Sequence, residues 1–488
     1  MSKWMLLLPM LFPIIAGCIL AFLKRWETDR RRNGIFMLAL SLEVIFSMLV
    51  LYAKDVPILS GAFIEQIPLL FRVDDLSRLF GTLIVVIWWL CGLFSLEYMK
   101  HEGGERRFDA FYLIGEGVIF ALCLAGNLVT MYLCFECMTL STMPLVLHEK
   151  TKDAVRAARK YMFYSIFGAS AALGGIVILA VYAPSITFLA GGVFTAKTFA
   201  AHSELYLTAA MVMIFGFCGK AGMFPLHGWL PTAHPQAPAP ASAVMSGVIT
   251  KMGVLAVMRV VFYIFGTSML RGTWVQVVWM SLAVITIFMG SMMAWKEPLM
   301  KRRFAYSTVS QVSYILLGLA TMTEAGMLGG CLHIVFHAAA KVMLFLMSGA
   351  VIYYTGRKRV EELSGIGRAM PIVIGTYTIA SFALVGIPPF TGFVSKEWLA
   401  HGAMESGISI LWVLAPIVLL ASAILTAVYL LPISIRGFVE TWQNGKTPIV
   451  VSKCMWIPMV CLAVVCVILG ILPNGLISWL RQLIVTLV

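Results

Sequence analysis

The sequence predicts an all-α integral membrane protein with about fourteen transmembrane helices. Of its 488 residues 60% are hydrophobic and 12% are charged, and the mean hydropathy is +0.92. A soluble protein of this length needs a larger share of charged residues to cover its surface. Apolar runs of about 20 residues, the length that crosses a bilayer, recur along the chain with short polar breaks. We expect the first run, which begins at Trp4, to be a retained span rather than a cleaved leader.

The positions of the apolar runs define the predicted spans. They are 4–23, 34–53, 76–98, 108–126, 127–147, 161–182, 205–227, 238–265, 273–295, 303–322, 326–354, 371–404, 410–433 and 454–472.

The positive residues predict the orientation of these spans. If each loop is numbered by the span before it, the odd-numbered loops hold two thirds of the 36 lysine and arginine residues, whereas the even-numbered loops and their edges hold six. Positive loops stay in the cytoplasm, and an even number of spans places both termini on the non-cytoplasmic side. A multi-pass membrane protein with this orientation is therefore predicted, and the net charge of +13 reflects topology rather than a nucleic-acid partner.

Several classes of function do not fit the sequence. The longest loops, around 54–75 and 183–204, hold about twenty residues each, which is too few for a nucleotide-binding domain, and no glycine-rich phosphate loop is present. The ten cysteines are scattered, and Cys134 and Cys137 form a C-x-x-C without a second such pair, so they predict neither a disulfide framework nor a redox cluster. No cofactor is predicted.

The spans also predict an internal organisation. An N-terminal unit of three helices covers 1–107, two five-helix repeats of inverted topology cover 108–265 and 273–433, and a helix and tail cover 434–488. The fourth span of each repeat is interrupted by prolines, in MFPLHGWLPTAHPQAPAP and in IPPFTGF. Paired broken helices at matching positions of two halves are typical of ion sites near the bilayer midplane.

Charged residues within the spans are the candidate functional residues. A charged side chain at the centre of the bilayer costs about 2.5–3.5 kcal/mol on insertion scales. Lys220 and Lys251 lie too deep for easy snorkelling to the interface, which remains the alternative for Lys341 and Lys396. Glu136 accompanies them, but four lysines outnumber that glutamate, so pairing with it does not neutralise them all.

The segment HIVFHAAAK places His333, His337 and Lys341 at i, i+4 and i+8, on one face of a helix. A satisfied core histidine is the commoner fate of a single buried histidine, but the three together favour a polar stripe along a water-filled path. Two histidines four residues apart share a zinc ion only with further ligands, which are not evident, and they cannot ligate opposite faces of one haem. We therefore predict proton handling rather than a metal site.

Lys220 precedes a proline break, and this predicts a switchable proton carrier. Burial favours the neutral amine, whereas an approaching carboxylate favours the ammonium form. Unwound backbone at membrane depth is tolerated where it lines a cavity, and it gives such a residue freedom to move.

Six stretches identify a family. They are VDDLSRLF, FECM, FPLHGWLPTAHPQAPAPASAVMSGVITK, KRRFAYSTVSQVSY, HIVFHAAAKVMLFLMSGAV and GIPPFTGFVSKEW. In these stretches the chain resembles the antiporter-like subunits of respiratory complex I, of multisubunit Mrp-type sodium/proton antiporters and of membrane-bound group 4 [NiFe] hydrogenases. The resemblance covers nearly the whole chain, and the stretches occur in the family's order.

The resemblance implies a role for each matched residue. Glu136 is implied to pair across helices with Lys220 of a broken helix, and Lys251 is implied to pass protons between two half-channels. His333, His337 and Lys341 are implied to continue this hydrated axis.

Near the second break, Lys396 is implied to be the terminal residue of the axis. Some family members have a glutamate there, and Glu397 adjoins Lys396, so the choice between the two stays open.

The resemblance further implies a non-redox subunit that translocates protons, or protons and sodium ions, within a redox-driven respiratory or hydrogenase complex. Its implied partners are other membrane subunits, including further antiporter-like ones, together with iron–sulfur and nickel–iron subunits elsewhere in the complex. The alternative is a subunit of an Mrp-type Na⁺/H⁺ antiporter without a redox partner. A haem- or quinone-bearing electron carrier is a third hypothesis, against which the helix-face argument counts.

Overall fold

A computed structural model describes residues 3–22, 29–54, 58–64, 67–442 and 448–487. Within them the protein is nearly all helical, as the sequence predicts. Parts of the first and last positive loops, with Lys24, Arg25 and Lys446, lie outside the described residues.

The α-helices, in chain order, fall at the following positions. They are α1 Leu8–Phe22, α2 Asp29–Tyr52, α3 Asp75–Glu102, α4 Glu105–Cys123, α5 Leu128–Val146, α6 Lys152–Tyr182, α7 Ala196–Ala200, α8 Ser203–Ala221, α9 Leu230–Gln236, α10 Ala239–Val244, α11 Thr250–Val260, α12 Thr267–Leu270, α13 Trp274–Lys296, α14 Met300–Ala320, α15 Glu324–Thr355, α16 Ile366–Ala369, α17 Pro371–Val385, α18 Thr391–Glu405, α19 Leu411–Val439, α20 Lys453–Ile471 and α21 Asn474–Val485.

Shorter turns complete the helical structure. Turns of 3₁₀ helix cover Lys3–Leu7, Leu226–Trp229 and Val360–Leu363, and turns of π-helix cover Met245–Ile249 and Val261–Phe265. The first π turn joins α10 to α11, and the second extends α11. Together they form one rod that runs over Ala239–Phe265.

The protein is a multi-pass membrane protein. In the described residues, eleven helices are long and apolar enough to cross a bilayer, and the apolar helix Pro371–Val385 is shorter. The predicted spans 108–126, 303–322 and 371–404 correspond to α4, to α14 and to the pair α17 and α18.

One pair of strands was not predicted. β1 (Leu59–Ile64) and β2 (Ile67–Phe71) form an antiparallel ribbon within the second loop, with an irregularity between Ala62 and Ile64. The ribbon is anchored to α5, because the Leu70 amide donates to Thr130 Oγ1 at 2.9 Å. The sequence analysis treated this segment only as a loop between spans.

The two predicted helix breaks are present. α8 ends at Ala221 and α9 resumes at Leu230, while α17 ends at Val385 and α18 begins at Thr391. Both first halves end on a glycine with positive φ, Gly222 at 87° and Gly386 at 88°, a conformation that glycine adopts without steric cost. The division into two inverted repeats stays a prediction, although each break falls in the fourth helical unit of its block.

The core of the molecule is formed by the rod Ala239–Phe265 and by α15, both of which are almost entirely buried. A helix that is apolar all round is buried from every side. α19 lies at the periphery, where Ile417, Leu420 and Ile424 are exposed. Four of the candidate residues therefore lie on these innermost helices, namely Lys251, His333, His337 and Lys341. The others lie on α5, α8 and α18.

Candidate functional site

Lys220 lies one residue before the end of α8 and is 1% exposed. Its Nζ donates to Tyr161 Oη at 2.7 Å, Thr139 Oγ1 at 2.9 Å and Ser165 Oγ at 3.1 Å. An ammonium group has three N–H donors, so these hydroxyls supply one acceptor for each. Lys220 is therefore solvated inside the protein by neutral dipoles from α5 and α6.

The break beyond Lys220 satisfies its own backbone. Trp229 Nε1 donates to the carbonyl oxygen of Gly219 at 2.9 Å, and the Met223 amide donates to that of Cys218 at 3.0 Å. Because these partners replace the lost helical hydrogen bonds, the helix can stop at membrane depth without orphaned carbonyls.

Glu136 lies on α5 and is half-buried, one turn before Thr139. Among the ion pairs of the described residues, none joins Glu136 to Lys220, and it is Thr139 that contacts the lysine. The two groups still interact electrostatically. In the described residues, Glu136 and Lys220 are therefore in an open arrangement, without a direct ion pair between them.

Lys251 contacts a predicted histidine directly. Its Nζ lies 2.6 Å from His337 Nδ1 and donates to the carbonyl oxygen of Ser246 at 2.5 Å. Ser246 belongs to the π turn Met245–Ile249, and such a turn loosens the regular helical hydrogen-bond pattern, often at functional sites. One proton lies between two nitrogens this close, so one nitrogen donates and the other accepts.

Gly253 brings the helices of Lys220 and Lys251 together. A Cβ at this position would lie 2.6 Å from the Ala221 nitrogen, 2.8 Å from the Phe217 oxygen and 3.1 Å from the Lys220 carbonyl carbon. α8 and α11 therefore touch backbone to backbone, and a side chain would separate them.

The polar line continues from His337 to His333 along α15. Their rings lie 5.8 Å apart, and both side chains are 1% exposed. His333 Nδ1 lies 2.9 Å from Ser395 Oγ, and His333 Nε2 lies 3.1 Å from Gln311 Oε1. His337 and His333 thus lie on one face of α15, and the contacts of His333 reach α14 and α18.

Lys396 lies at the far end of this line. Its Nζ donates to the carbonyl oxygens of Leu384 at 2.6 Å and Val385 at 2.9 Å, and it lies 5.2 Å from the centre of the Tyr314 ring, which in turn packs against His333. Glu397, in contrast, is exposed. Of the two candidates at the second break, Lys396 is therefore the one that lies near His333, through Tyr314.

Lys341 is fully buried one turn beyond His337, and its Nζ donates to the carbonyl oxygen of Phe304 at 3.2 Å. It lies within electrostatic range of Lys251 and of His234. The predicted residues Lys251, His337, His333 and Lys396 thus follow one another in a series of contacts, the lysine–histidine line. Lys341 lies beside this line, near Lys251 and His337.

The sequence analysis missed several residues of this site. His234 is fully buried, stacks on Phe345 with ring centres 4.5 Å apart, and has no hydrogen-bond partner for either ring nitrogen in the described residues. Its place in the proline-rich segment AHPQAPAP was a signal. The hydroxyls around Lys220 gave none, because serine, threonine and tyrosine are ordinary in membrane helices.

The chain matches two family models. Residues 125–426 match "NADH:quinone oxidoreductase/Mrp antiporter, TM", and residues 63–109 match "NADH-Ubiquinone oxidoreductase (complex I), chain 5 N-terminus".

Three curated relatives represent three kinds of assembly. NADH-quinone oxidoreductase subunit N of Desulforudis audaxviator is 30% identical over 83% of this chain and 82% of its own length. Hydrogenase-4 component B of Escherichia coli is 31% identical over 70% of this chain and 52% of its own. Na(+)/H(+) antiporter subunit A1 of Staphylococcus haemolyticus is 29% identical over 82% and 52%. The chain thus spans about half the length of the last two.

Two solved structures share the fold. A chain of the Mrp complex from Dietzia sp. DQ12-45-1b and a chain of an archaeal membrane-bound sulfane sulfur reductase, a respiratory membrane complex, each superpose with a TM-score of 0.85 at 22% identity. Each match covers 100% of this chain and 98% of the other. Both similar chains are subunits of multisubunit membrane complexes.

Proposed function

Because the chain belongs to the family of NADH:quinone oxidoreductase and Mrp antiporter membrane subunits, we propose that it translocates protons as one subunit of a larger membrane assembly. The route runs from Glu136 and Lys220 through Lys251, His337 and His333 to Lys396. The assembly lies in a prokaryotic plasma membrane, with both termini of this chain on the non-cytoplasmic side.

The contact between Lys251 and His337 carries this proposal. It joins two ionisable groups that lie on different helices and that are almost completely buried, 0% and 1% exposed. Since one proton lies between the two nitrogens, arrival of a proton at either group favours its departure from the other.

Lys220 supplies the switch. When Glu136 approaches, its negative charge favours the ammonium form of Lys220, and when Glu136 withdraws, burial favours release of the proton toward Lys251. The open arrangement of this pair and the three hydroxyls at Lys220 support this step, because the lysine keeps polar partners without the carboxylate.

The test replaces the central lysine. In vesicles that contain the intact assembly, we expect Lys251→Met to lower the rate of proton transport at least tenfold. This corresponds to an activation barrier higher by about 1.4 kcal/mol. Lys152→Met, at an exposed lysine at the start of α6, is the matched control and leaves transport unchanged. Normal transport by Lys251→Met, in an assembly present at normal abundance, contradicts the proposed route.

Two kinds of assembly could contain this chain, and they differ in what drives translocation. In the first, iron–sulfur and nickel–iron subunits elsewhere in the complex drive translocation, and in the second the chain belongs to a cation/proton antiporter without redox partners. The similarity to chains of a respiratory complex and of an Mrp complex is equal in TM-score. Mass spectrometry of what co-purifies with a tagged chain after gentle solubilisation separates them. Redox subunits identify the first, and small hydrophobic antiporter subunits alone identify the second.

A further inference from the structure

Two buried glutamates lie away from the lysine–histidine line. Glu43 on α2 and Glu116 on α4 are both 0% exposed. Glu116 follows the first residue of its helix by eleven positions, which corresponds to about 16 Å along the axis. It is therefore near the middle of a hydrocarbon layer about 30 Å thick. The sequence analysis passed over both residues.

The two glutamates lie on α2 and α4, which contact each other. Nearer the cytoplasmic end, Arg32 Nε of α2 lies 3.5 Å from Asp109 Oδ2 of α4, and the rings of Phe36 and Tyr112 lie 5.9 Å apart one turn further on. Glu43 lies two turns beyond Phe36 and Glu116 one turn beyond Tyr112, and the two glutamates interact electrostatically.

Among the residues that the structure describes, three of the four carboxylate oxygens have no hydrogen-bond partner. Ser47 Oγ donates to Glu43 Oε1 at 2.7 Å, but Glu43 Oε2 and both oxygens of Glu116 are buried without a hydrogen bond. Within the described residues, neither glutamate forms an ion pair. On α2, the guanidinium of Arg32 is engaged by Asp109, Asp29 and Glu105.

The surroundings supply no compensating charge. Around Glu116, α1 contributes the Met10 backbone and Pro13 beside Gly117, and α5 contributes the Thr142 methyl beside Gly115. Besides Glu43, the titratable group that interacts with it is Tyr112, whose hydroxyl already donates to the Trp88 carbonyl at 2.8 Å, and Tyr112 in turn interacts with Cys91 of α3. Both are neutral at pH 7.

Two unpaired carboxylates cannot both stay ionised at this depth, because an isolated buried charge is costly. Glu105, Asp109, Tyr112 and Glu116 follow each other at i, i+4, i+7 and i+11, so they share one face of α4. This face leads from the end of the helix to the buried pair. We propose that Glu43 and Glu116 form a proton-binding site, separate from the lysine–histidine line and loaded from the Glu105 end of α4.

Infrared spectroscopy of the purified full chain tests this directly. A protonated carboxylic acid has a carbonyl band distinct from those of carboxylates and amides. At pH 7 in sodium-free buffer, we expect Glu43→Gln/Glu116→Gln to lose acid carbonyl intensity relative to wild type. Glu324→Gln, at a side chain that is 59% exposed, is the control and loses none.

An unchanged acid band in a correctly folded double variant overturns the proposal. If the double variant does not fold, the acid carbonyl band of the wild type is titrated instead. The proposal requires this band to be present at pH 7 and to decline as the pH rises further. Absence of the band at pH 7 overturns the proposal. Replacement of the band by a carboxylate band on addition of NaCl assigns the site to sodium and overturns the assignment to a proton. Persistence of the band in NaCl supports the proton. None of these readouts depends on transport, so the outcome is independent of the proposed route.

Discussion

At the scale of the residue, neutral dipoles rather than carboxylates accompany the buried lysines. Lys220 has three hydroxyl oxygens, Lys341 has one backbone carbonyl and Lys396 has two. A buried charge needs hydrogen-bond partners, but a permanent counter-charge would hold its proton in place. Solvation by dipoles is therefore the arrangement that the proposed proton exchange requires.

Lys396 and Glu397 allow a comparison of adjacent residues. Lys396→Met removes the donor to the last carbonyls of α17, so we expect proton transport to fall and the folded state to lose about 1 kcal/mol, the usual contribution of a cation at a helix C-terminus. Glu397→Gln changes only an exposed side chain and leaves both unchanged. Transport in membrane vesicles and thermal unfolding in detergent are measured. Loss of transport in Glu397→Gln with normal transport in Lys396→Met would reverse the assignment.

A second residue-scale feature is the ion pair between Asp74, in the loop before α3, and Arg259 of α11. The carboxylate of Asp74 accepts two hydrogen bonds from the Arg259 guanidinium, one of them at 2.9 Å, and Arg259 is 1% exposed. Burial raises the pKa of Asp74, but its interaction with Arg259 outweighs this effect and holds the pKa below the ordinary 3.8. The pair ties the second loop to the end of the central rod.

This lowered pKa gives a pH dependence. Since the folded-state pKa lies below the unfolded one, the stabilisation is fully present above pH about 4 and is lost as the pH falls through the folded-state pKa. At pH 7 we expect Asp74→Asn to lower the free energy of unfolding by about 3 kcal/mol, because it leaves a buried arginine unpaired. The difference in Tm between wild type and variant should narrow as the pH falls from about 5 to 3. A difference that stays constant over this range contradicts the interpretation.

At the scale of the element, irregular helices place the functional groups. The π turn Met245–Ile249 presents the Ser246 carbonyl to Lys251, and the end of α17 presents two carbonyls to Lys396. Regular helices would use these carbonyls internally. Backbone carbonyls at irregular parts of the helices thus provide hydrogen-bond acceptors for the lysines.

The contact of α8 with α11 at Gly253 belongs to this scale. Gly253→Val places a branched side chain against the α8 backbone, so we expect a loss of about 1–3 kcal/mol of stability and a loss of proton transport, although every lysine is retained. Gly174→Val is the control within another helix, α6, because a Cβ there meets no atom within 4 Å. Thermal unfolding and vesicle transport are measured together. Wild-type transport by Gly253→Val would show that close approach of the two helices is not needed.

The sequence predicted the elements better than their irregularities. Composition and span length predicted the helices and both proline breaks, because membrane helices require long apolar runs and prolines interrupt them. The π turns and the β1–β2 ribbon were missed, since they depend on tertiary packing rather than on any local residue pattern. The Lys251–His337 contact was likewise beyond a sequence argument, because it joins residues 86 positions apart.

At the scale of the whole molecule, the charge distribution predicts the topology. Residue 152 belongs to a positive loop, and residue 195 belongs to a long loop with a single lysine. Positive loops stay cytoplasmic, so in intact cells we expect a membrane-impermeant maleimide to label Thr195→Cys but not Lys152→Cys. Both positions are exposed, so permeabilised cells should show labelling at each. Labelling of Lys152→Cys alone in intact cells would show that the protein has the opposite orientation in the membrane.

The burial of the central rod and of α15 has a consequence for biosynthesis. These helices carry Lys251, His333, His337 and Lys341, whose hydrogen-bond partners lie partly on helices that the ribosome makes later or earlier. A lone lysine at the bilayer centre costs about 2.5–3.5 kcal/mol on the insertion scale, so each helix is less stable in lipid alone than when it packs against the other. We expect the insertion machinery to retain the rod until α15 has emerged. The contact between Lys251 and His337 then forms as α15 arrives, and the peripheral α19 is added around a polar interior already assembled.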